Sequence, residues 1–203
     1  ARQRLDVVDP HLKTEQNDEA RRAYSEVVSR FPRSESAASA NYRLGAFAYN
    51  AREFLRAAAC FESCEKLTTD PLVKLACTYN RALALKQAGQ QKAALAAFKA
   101  VAATKTDNPY RETALSEHAA GALQAGNKEE ALDAFNGIIA TTKDDAILGD
   151  ALIKAGLILN ELGKSETALR NFKRALDLRD LPRETRAVPV FGLIQGSYSR
   201  GDY

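Results

Sequence analysis

The segment Ala57-Ala-Ala-Cys-Phe61 contains an alanine followed four residues later by an aromatic residue, and this pair recurs at an interval of 37 residues. The five pairs are Ala20/Tyr24, Ala57/Phe61, Ala94/Phe98, Ala131/Phe135 and Ala168/Phe172. Aromatic residues make up only 7% of the chain, so five of them at one interval are not a coincidence. A fixed period of this length is typical of proteins built from a repeated supersecondary unit.

Two further sets of residues keep the same interval, and we call positions 37 residues apart repeat-equivalent. One set is uniformly small: Gly45, Ala82, Ala119 and Gly156. The other is Gly89, Gly126 and Gly163, with Arg52 at the equivalent position of the first full repeat. Glycine is favoured just past a helix C-terminus, where the chain turns through the left-handed region. The pattern therefore predicts a unit of helix, glycine turn, helix and longer loop.

The hydrophobic periodicity places the helices near 35–51, 53–68, 71–88, 90–104, 109–125, 128–141, 145–162, 165–178 and 183–199. A further helix should end at Phe31 and have Asn17 as its N-cap. The longer loops supply the residues that we expect to cap the other helices: Ser34, Asp70, Asp107 and Asn108, and the cap-forming residues of the segment Thr141-Thr-Lys-Asp144-Asp145. Within a unit, the alanine should let the partner helix approach and the aromatic residue should fill the space between neighbouring units.

The composition excludes several classes of protein. Acidic and basic residues alternate along the chain and the net charge is only +3, whereas nucleic-acid-binding proteins gather basic residues on one face. No apolar run reaches the 18 or so residues that a membrane span requires. The sequence contains none of the common catalytic motifs and only two histidines, so we expect no enzyme activity, no metal and no cofactor. His118 is expected to be a packing residue.

Three cysteines, Cys60, Cys64 and Cys77, do not form a metal-binding pattern, because Cys60 and Cys64 are four residues apart and no histidine is near. We expect them to be buried structural thiols, and a disulfide is the alternative.

The segments Asn41-Tyr-Arg-Leu-Gly45 and Gly163-Lys-Ser-Glu-Thr-Ala168-Leu-Arg-Asn-Phe172 resemble tetratricopeptide (TPR) repeats. The resemblance covers about residues 17 to 203 and implies an all-α protein, an α-solenoid of antiparallel helix pairs wound into a right-handed superhelix. The unit of 37 residues, and the segment Phe31 to Gly45, are similar to bacterial envelope TPR proteins such as the Tol–Pal coordinator and the outer-membrane assembly lipoprotein. This likeness favours the bacterial periplasm or envelope over the cytoplasm.

In the TPR family the first helix of each pair lines a concave groove that binds a peptide or a partner segment. Carried onto this chain, the likeness predicts a groove lined by Tyr42, Arg43, Tyr49, Asn50, Tyr79, Asn80, Leu83, Lys86, Gln124 and Asn160. Tyrosine supplies rigid contact area, and asparagine can bind a peptide backbone. We expect Tyr42, Tyr49 and Tyr79 to form the main contact cluster, and the alternative is that these rings only pack between helices.

The sequence thus predicts a protein-interaction scaffold formed by a single solenoid over residues 1–203. It has about four full repeats over 35–182 and partial repeats over 1–34 and 183–203. Gly201 and Tyr203 resemble the turn that opens a second helix, so we expect the chain to belong to a longer protein or to bury this end against another copy. The alternative function is a structural module that self-associates through the solenoid ends without a groove ligand.

Overall fold

The computed structural model describes residues 14–105, 108–179 and 181–200, and all regular structure in these ranges is helical. The chain divides into two compact units, Ala1–Arg111 and Glu112–Tyr203. The all-α class that the repeat predicted is confirmed.

The first unit is a series of helices in which each packs on the next one along the chain. Its helices are α1 Thr14–Arg30, α2 Glu35–Asn50, α3 Phe54–Leu67, α4 Pro71–Gln87 and α5 Gln91–Ala103. Helices α2 and α4 are the first helices of their pairs, and α1, α3 and α5 are second helices.

The second unit repeats this arrangement. Its helices are α6 Arg111–Gln124, α7 Lys128–Thr141, α8 Asp145–Glu161, α9 Ser165–Leu176 and α10 Ala187–Arg200, with a 3₁₀ turn over Arg183–Arg186 before α10. Helix α10 packs on α9 and contacts α8.

The tight turns inside the four helix pairs have the same backbone geometry. Gly89, Gly126 and Gly163 have φ of 75°, 79° and 73°, as the sequence predicted, and the equivalent Arg52 has φ of 61°. The amide N–H that follows each of these residues donates to a carbonyl five residues earlier at 2.8–2.9 Å. This is the bonding pattern of a Schellman turn, which satisfies the last carbonyls of the first helix.

The repeated aromatic residues form the core of each pair. Phe61, Phe98, Phe135 and Phe172 are between 0% and 4% exposed, and the alanine four residues before each is at most 1% exposed. The rings of Phe61 and Phe172 lie against Gly45 and Gly156, which belong to the first helix of the same pair, and Phe172 also lies against Gly192 of α10 in the next repeat. The burial of the rings is as predicted, whereas the predicted place between neighbouring units is seen for Phe172.

Two of the small positions are glycines because the ring lies directly on the backbone. A Cβ atom at Gly45 would lie 2.9 Å from Cε1 of Phe61, and one at Gly156 would lie 2.5 Å from Cε1 of Phe172. Real Cβ atoms do not approach a ring so closely, so a side chain here would push the two helices apart. In the middle pairs Ala82 and Ala119 occupy the same position and are fully buried.

The caps predicted in three of the longer loops are confirmed. Side-chain oxygens of Ser34, Asp70 and Asp144 accept from backbone amides of the first turn of α2, α4 and α8. The cap predicted at Asn17 is wrong, because α1 begins at Thr14 and continues through Asn17; Glu15 and Gln16 are good helix formers. Asp107, Gly201 and Tyr203 lie outside the described residues.

The loops before α6 and α10 differ from the expectation in detail. Helix α6 begins two residues later than predicted, because Asn108 accepts from the Tyr110 amide and holds Pro109 and Tyr110 in a turn. The predicted helix over 183–199 starts as a 3₁₀ turn and becomes α-helical at Ala187. Arg186 fixes this start, since its guanidinium donates to the carbonyls of Leu176, Leu178 and Leu181.

Candidate functional site

The ten residues predicted to line a groove lie on first helices but differ widely in exposure. Arg43, Asn50, Lys86 and Gln124 are exposed, Tyr49, Tyr79, Leu83 and Asn160 are half-buried, and Tyr42 and Asn80 are buried. Eight of the ten lie in the first unit, on α2 and α4. Gln124 and Asn160 lie in the second unit, near the C-terminal ends of α6 and α8.

Tyr42 and Asn80 join the two first helices of the first unit. Asn80 Nδ2 donates to the Tyr42 hydroxyl at 3.1 Å, and the two residues are 6% and 8% exposed. Burial raises the pKa of Tyr42 and the nearby Tyr110 hydroxyl adds to this, while the hydrogen bond from Asn80 and the charge of Arg43 act in the opposite direction. The hydroxyl therefore stays protonated at neutral pH.

The ring of Tyr42 continues this contact into the core. It meets Phe61 edge to face, with a centroid distance of 5.6 Å and an interplanar angle of 67°. Tyr79, which is repeat-equivalent to Tyr42, meets Phe98 in the same way at 6.1 Å and 66°. The first two repeats thus share a Tyr–Phe contact between the first and the second helix of a pair.

Tyr110 completes this cluster, and the sequence did not predict it. Its ring stacks on Tyr79 at a centroid distance of 4.6 Å and an interplanar angle of 20°. The loop that carries it is held by Asn108, whose Nδ2 donates to the Val101 carbonyl at 2.7 Å, and by Arg111, whose guanidinium donates to the Thr104 carbonyl. Tyr110 lies outside the repeat pattern, and the only signal for it was an aromatic residue directly after a loop proline.

Tyr49 is placed differently from the other predicted rings. It packs at the edge of the first-unit core, and its ring meets Phe54 edge to face at 5.4 Å. Phe54 is the first residue of α3, directly after the tight turn. The structure therefore brings Tyr42, Tyr79 and Tyr110 together and turns Tyr49 toward the helix-pair turn.

His118 is a packing residue in the second unit. It is 4% exposed, and its Nε2 lies 3.3 Å from Oε1 of Glu130, which links α6 to α7. Its buried Nδ1 has no hydrogen-bond partner among the described residues. The described residues contain no group of three or more His, Cys, Asp or Glu side chains that could hold a metal ion.

The cysteines correct the expectation of three free thiols. Cys64 on α3 and Cys77 on α4 form a disulfide, with a Cα–Cα distance of 6.4 Å and both side chains fully buried. Helix packing brings the two together across a sequence separation of 13. Cys60 is a free thiol whose pKa is raised mainly by burial, which makes it a weak nucleophile.

No helix within the described residues has the length and apolar character needed to cross a membrane. This agrees with the absence of a long apolar run in the sequence.

Comparison with known protein families supports the repeat for part of the chain. A family model described as tetratricopeptide repeat matches residues 9–68. No curated protein matches the chain.

Solved structures match nearly the whole chain at low sequence identity. MamA is 18% identical, with 94% of each chain covered and a TM-score of 0.59. YrrB, described as a TPR protein with an unusual peptide-binding site, is 13% identical, with 89% of this chain and 84% of that chain covered and a TM-score of 0.60. BtubC from P. vanneervenii is 13% identical, with 93% and 83% covered and a TM-score of 0.54. The likeness to bacterial envelope TPR proteins stays a prediction, whereas the fold is that of a TPR-like α-solenoid and residues 9–68 match the sequence model of that repeat.

Proposed function

We propose that this chain is a protein-interaction module that binds a peptide or partner segment on the first-helix face of its first unit. We name this face the groove surface and define it as Arg43, Asn50, Tyr79, Leu83 and Lys86. The observation that carries the proposal is the hydrogen bond between Asn80 and Tyr42, which fixes the two first helices against each other beneath these residues.

The groove surface has the mixture of side chains that protein recognition requires. Tyr79 and Leu83 are half-buried and offer apolar area, while Arg43, Asn50 and Lys86 are exposed and polar. Aromatic and arginine residues dominate the binding energy of many interfaces. The stacking of Tyr79 on Tyr110 holds the ring in place before a partner arrives, so less conformational entropy is lost on binding.

The fold supports the same class of function. YrrB, whose fold this chain shares, is described as having a peptide-binding site. The two cations of the groove surface, Arg43 and Lys86, favour a partner with acidic residues. Within the predicted set, Gln124 and Asn160 are proposed to serve a corresponding first-helix face in the second unit.

The test is a charge reversal on the groove surface with a matched control. Peptides recovered by panning a random peptide library on the full chain are labelled, and their Kd values are measured by fluorescence anisotropy. Arg43→Glu with Lys86→Glu should weaken at least one class of peptide by tenfold or more. Arg33→Glu with Lys92→Glu reverses two other exposed cations of the same unit and should change those Kd values less than twofold. Equal binding by both double variants would overturn the proposal.

A second candidate function is self-association through α10. Val190, Phe191 and Ile194 of α10 are 43%, 61% and 58% exposed. An apolar face of this kind favours contact with another helix. Light scattering should then give a mass that rises with concentration, and Phe191→Glu with Ile194→Glu should abolish the rise.

A further inference from the structure

The turn between α2 and α3 differs in sequence from the other three turns. It reads Arg52-Glu-Phe-Leu55, whereas the equivalent segments are Gly89-Gln-Gln-Lys92, Gly126-Asn-Lys-Glu129 and Gly163-Lys-Ser-Glu166. The two residues that open the second helix are thus apolar in the first pair and polar or charged in the other three. Since the backbone geometry of the four turns is the same, the difference lies in the side chains.

Arg52 occupies a strained backbone position. Its φ of 61° lies in the left-handed region, where the Cβ atom of any residue other than glycine crowds the following carbonyl oxygen. The other three turns avoid this strain with glycine. Strained residues persist where their side chain has a use, so the guanidinium of Arg52 is the feature to explain.

The two apolar side chains form the floor of an open depression beside Arg52. Leu55 is 61% exposed, and Phe54 is half-buried with its ring held against Tyr49. The depression has a volume of about 530 Å³ and is lined by Arg52, Glu53, Phe54, Leu55, Arg56 and Ala88. An exposed leucine next to a fixed phenylalanine is an anchor point for a large apolar side chain.

The surroundings of the depression are basic. A second depression of about 500 Å³ adjoins it at Arg56 and is also lined by Asp18, Arg21, Arg22 and Ser25. Two of the arginines already have an acidic neighbour, since Arg21 lies 4.0 Å from Asp18 and Arg56 lies 2.9 Å from Glu53 in an exposed contact. Within the described part of the chain, Arg52 and Arg22 make no ion pair. The two depressions are thus lined by four guanidinium groups and two carboxylates.

We propose that this surface, which we name the turn surface (Arg21, Arg22, Arg52, Phe54, Leu55 and Arg56), docks an acidic peptide segment that carries a large apolar side chain. The apolar side chain would lie on Phe54 and Leu55, and acidic residues on either side of it would pair with Arg52 and with Arg21 or Arg22. Guanidinium groups bind carboxylates with two parallel hydrogen bonds, which favours aspartate and glutamate over other acceptors. The turn surface shares no residue with the groove surface, so the two can bind independently.

The test replaces the first turn with the sequence of the second. Arg52→Gly, Phe54→Gln and Leu55→Lys together reproduce the segment from Gly89 to Lys92 while Glu53 is kept. The triple variant should fold, because the turn at Gly89 has the same backbone geometry with these residues. The glycine also relieves the strained φ, which offsets part of the contact that is lost between Phe54 and Tyr49. Circular dichroism and the thermal midpoint check this.

A random dodecapeptide library displayed on phage is panned on the full-length chain, with counter-selection on the triple variant. Recovered peptides should be enriched in Asp and Glu around one Leu, Ile, Phe or Trp. Their Kd, measured by fluorescence anisotropy, should rise at least tenfold on the triple variant and should also rise with salt concentration. The groove variant, Arg43→Glu with Lys86→Glu, should bind these peptides within twofold of the wild type.

Several results would overturn the proposal. They are recovery of no peptide that distinguishes the two proteins, recovery of peptides without acidic enrichment, and Kd values that do not change with salt. A wild-type mass that rises with concentration and returns to the monomer in the triple variant would assign the turn surface to a second copy of this chain instead. If the selected peptides lose binding only to the groove variant, they bind the groove surface, and the turn-surface proposal is rejected.

Discussion

The two units use the same repeat interval but different core chemistry. In the first unit the ring of each core phenylalanine meets a tyrosine of the first helix, Tyr42 or Tyr79. In the second unit the equivalent residues are Ser116 and Ile153, and the sequence contains no tyrosine from Glu112 to Gly196. The core there consists of alanine, leucine and isoleucine around Phe135 and Phe172.

This difference shows what the repeat constrains and what it leaves open. The phenylalanine and the small residue opposite it are required for two helices to pack, and they recur in both units. The first-helix position beside the ring is not required for packing, so it can carry a tyrosine in one unit and a serine or an isoleucine in the other. A buried hydroxyl must be satisfied, which is why Tyr42 needs Asn80.

The largest expected effect tests whether both cores depend on their phenylalanine. Phe98→Ala and Phe135→Ala should each lower the free energy of unfolding by about 3–5 kcal/mol, through lost transfer energy and the cavity left behind. The loss should be greater for Phe98, because the edge-to-face contact with Tyr79 is lost as well. Urea denaturation followed by circular dichroism measures both. A larger loss for Phe135 would contradict the comparison.

Reduction of the disulfide should destabilise the first unit and leave the second unit unchanged, because all three cysteines lie in the first. Opening the link between Cys64 and Cys77 should lower the stability of the first unit by about 3 kcal/mol, since a closed loop of about this length restricts the unfolded chain. Hydrogen exchange after reduction should quicken in α3 and α4 and stay unchanged in α8 and α9. Cys60→Ser is the control and should behave as the wild type. Detection of three free thiols under oxidising conditions would refute the link.

Loss of the buried Tyr42 hydroxyl in the first unit should have a smaller effect on the free energy of unfolding. Tyr42→Phe keeps the ring but leaves the Asn80 amide unpaired, which should cost about 1–3 kcal/mol. The equivalent change in the second unit, Ser116→Ala, affects an exposed residue and should stay within about 0.5 kcal/mol. Equal losses in urea denaturation would show that the hydrogen bond is not what distinguishes the units.

The Tyr42→Phe variant should also change how the stability of the protein depends on pH in the alkaline range. Because burial raises the pKa of Tyr42 above its unfolded value, the folded protein retains this proton while the unfolded chain releases it. Stability is therefore complete below the ordinary tyrosine pKa and falls as the pH rises toward the raised value. The thermal midpoint of Tyr42→Phe should fall less steeply over this alkaline range than that of the wild type.

The smallest expected effect compares the turns. Arg52→Gly in the first unit should raise stability by about 1 kcal/mol, because it removes the crowding at positive φ. Gly126→Ala in the second unit introduces that crowding and should lower stability by about the same amount. The thermal midpoints should thus move in opposite directions. A decrease for both would mean that Arg52 makes a stabilising contact that exceeds its strain.

The repeat interval predicted most of the fold. Burial of Phe98 and Phe135 and the positive φ of Gly126 and Gly163 follow from one pattern, because helix pairs that stack on each other demand the same residues each time. Helix ends were less well predicted where a cap competes with helix propensity, as at Asn17. The 3₁₀ start of the last helix depends on Arg186, whose three carbonyl partners come together only in the folded loop.

The candidate site was predicted less completely. The sequence placed Tyr42, Asn80 and Tyr79 on first helices, but it could not show that Tyr42 and Asn80 bind each other and are buried. Tyr110 was missed because it lies in a loop, where no periodicity applies. The contact between Cys64 and Cys77 depends on which faces of α3 and α4 meet, and a spacing of 13 residues does not determine that.

The position of the disulfide has a consequence for the order in which the first unit unfolds. In a repeat protein each helix contacts only its neighbours, so the structure can open one interface at a time from either side. The link between Cys64 and Cys77 crosses the interface between the first and second helix pairs, not the interior of either pair. Opening that begins at α1 therefore cannot separate α3 from α4 while the link is intact. The second helix of one pair and the first helix of the next stay joined, so oxidation ties the two pairs together at this interface.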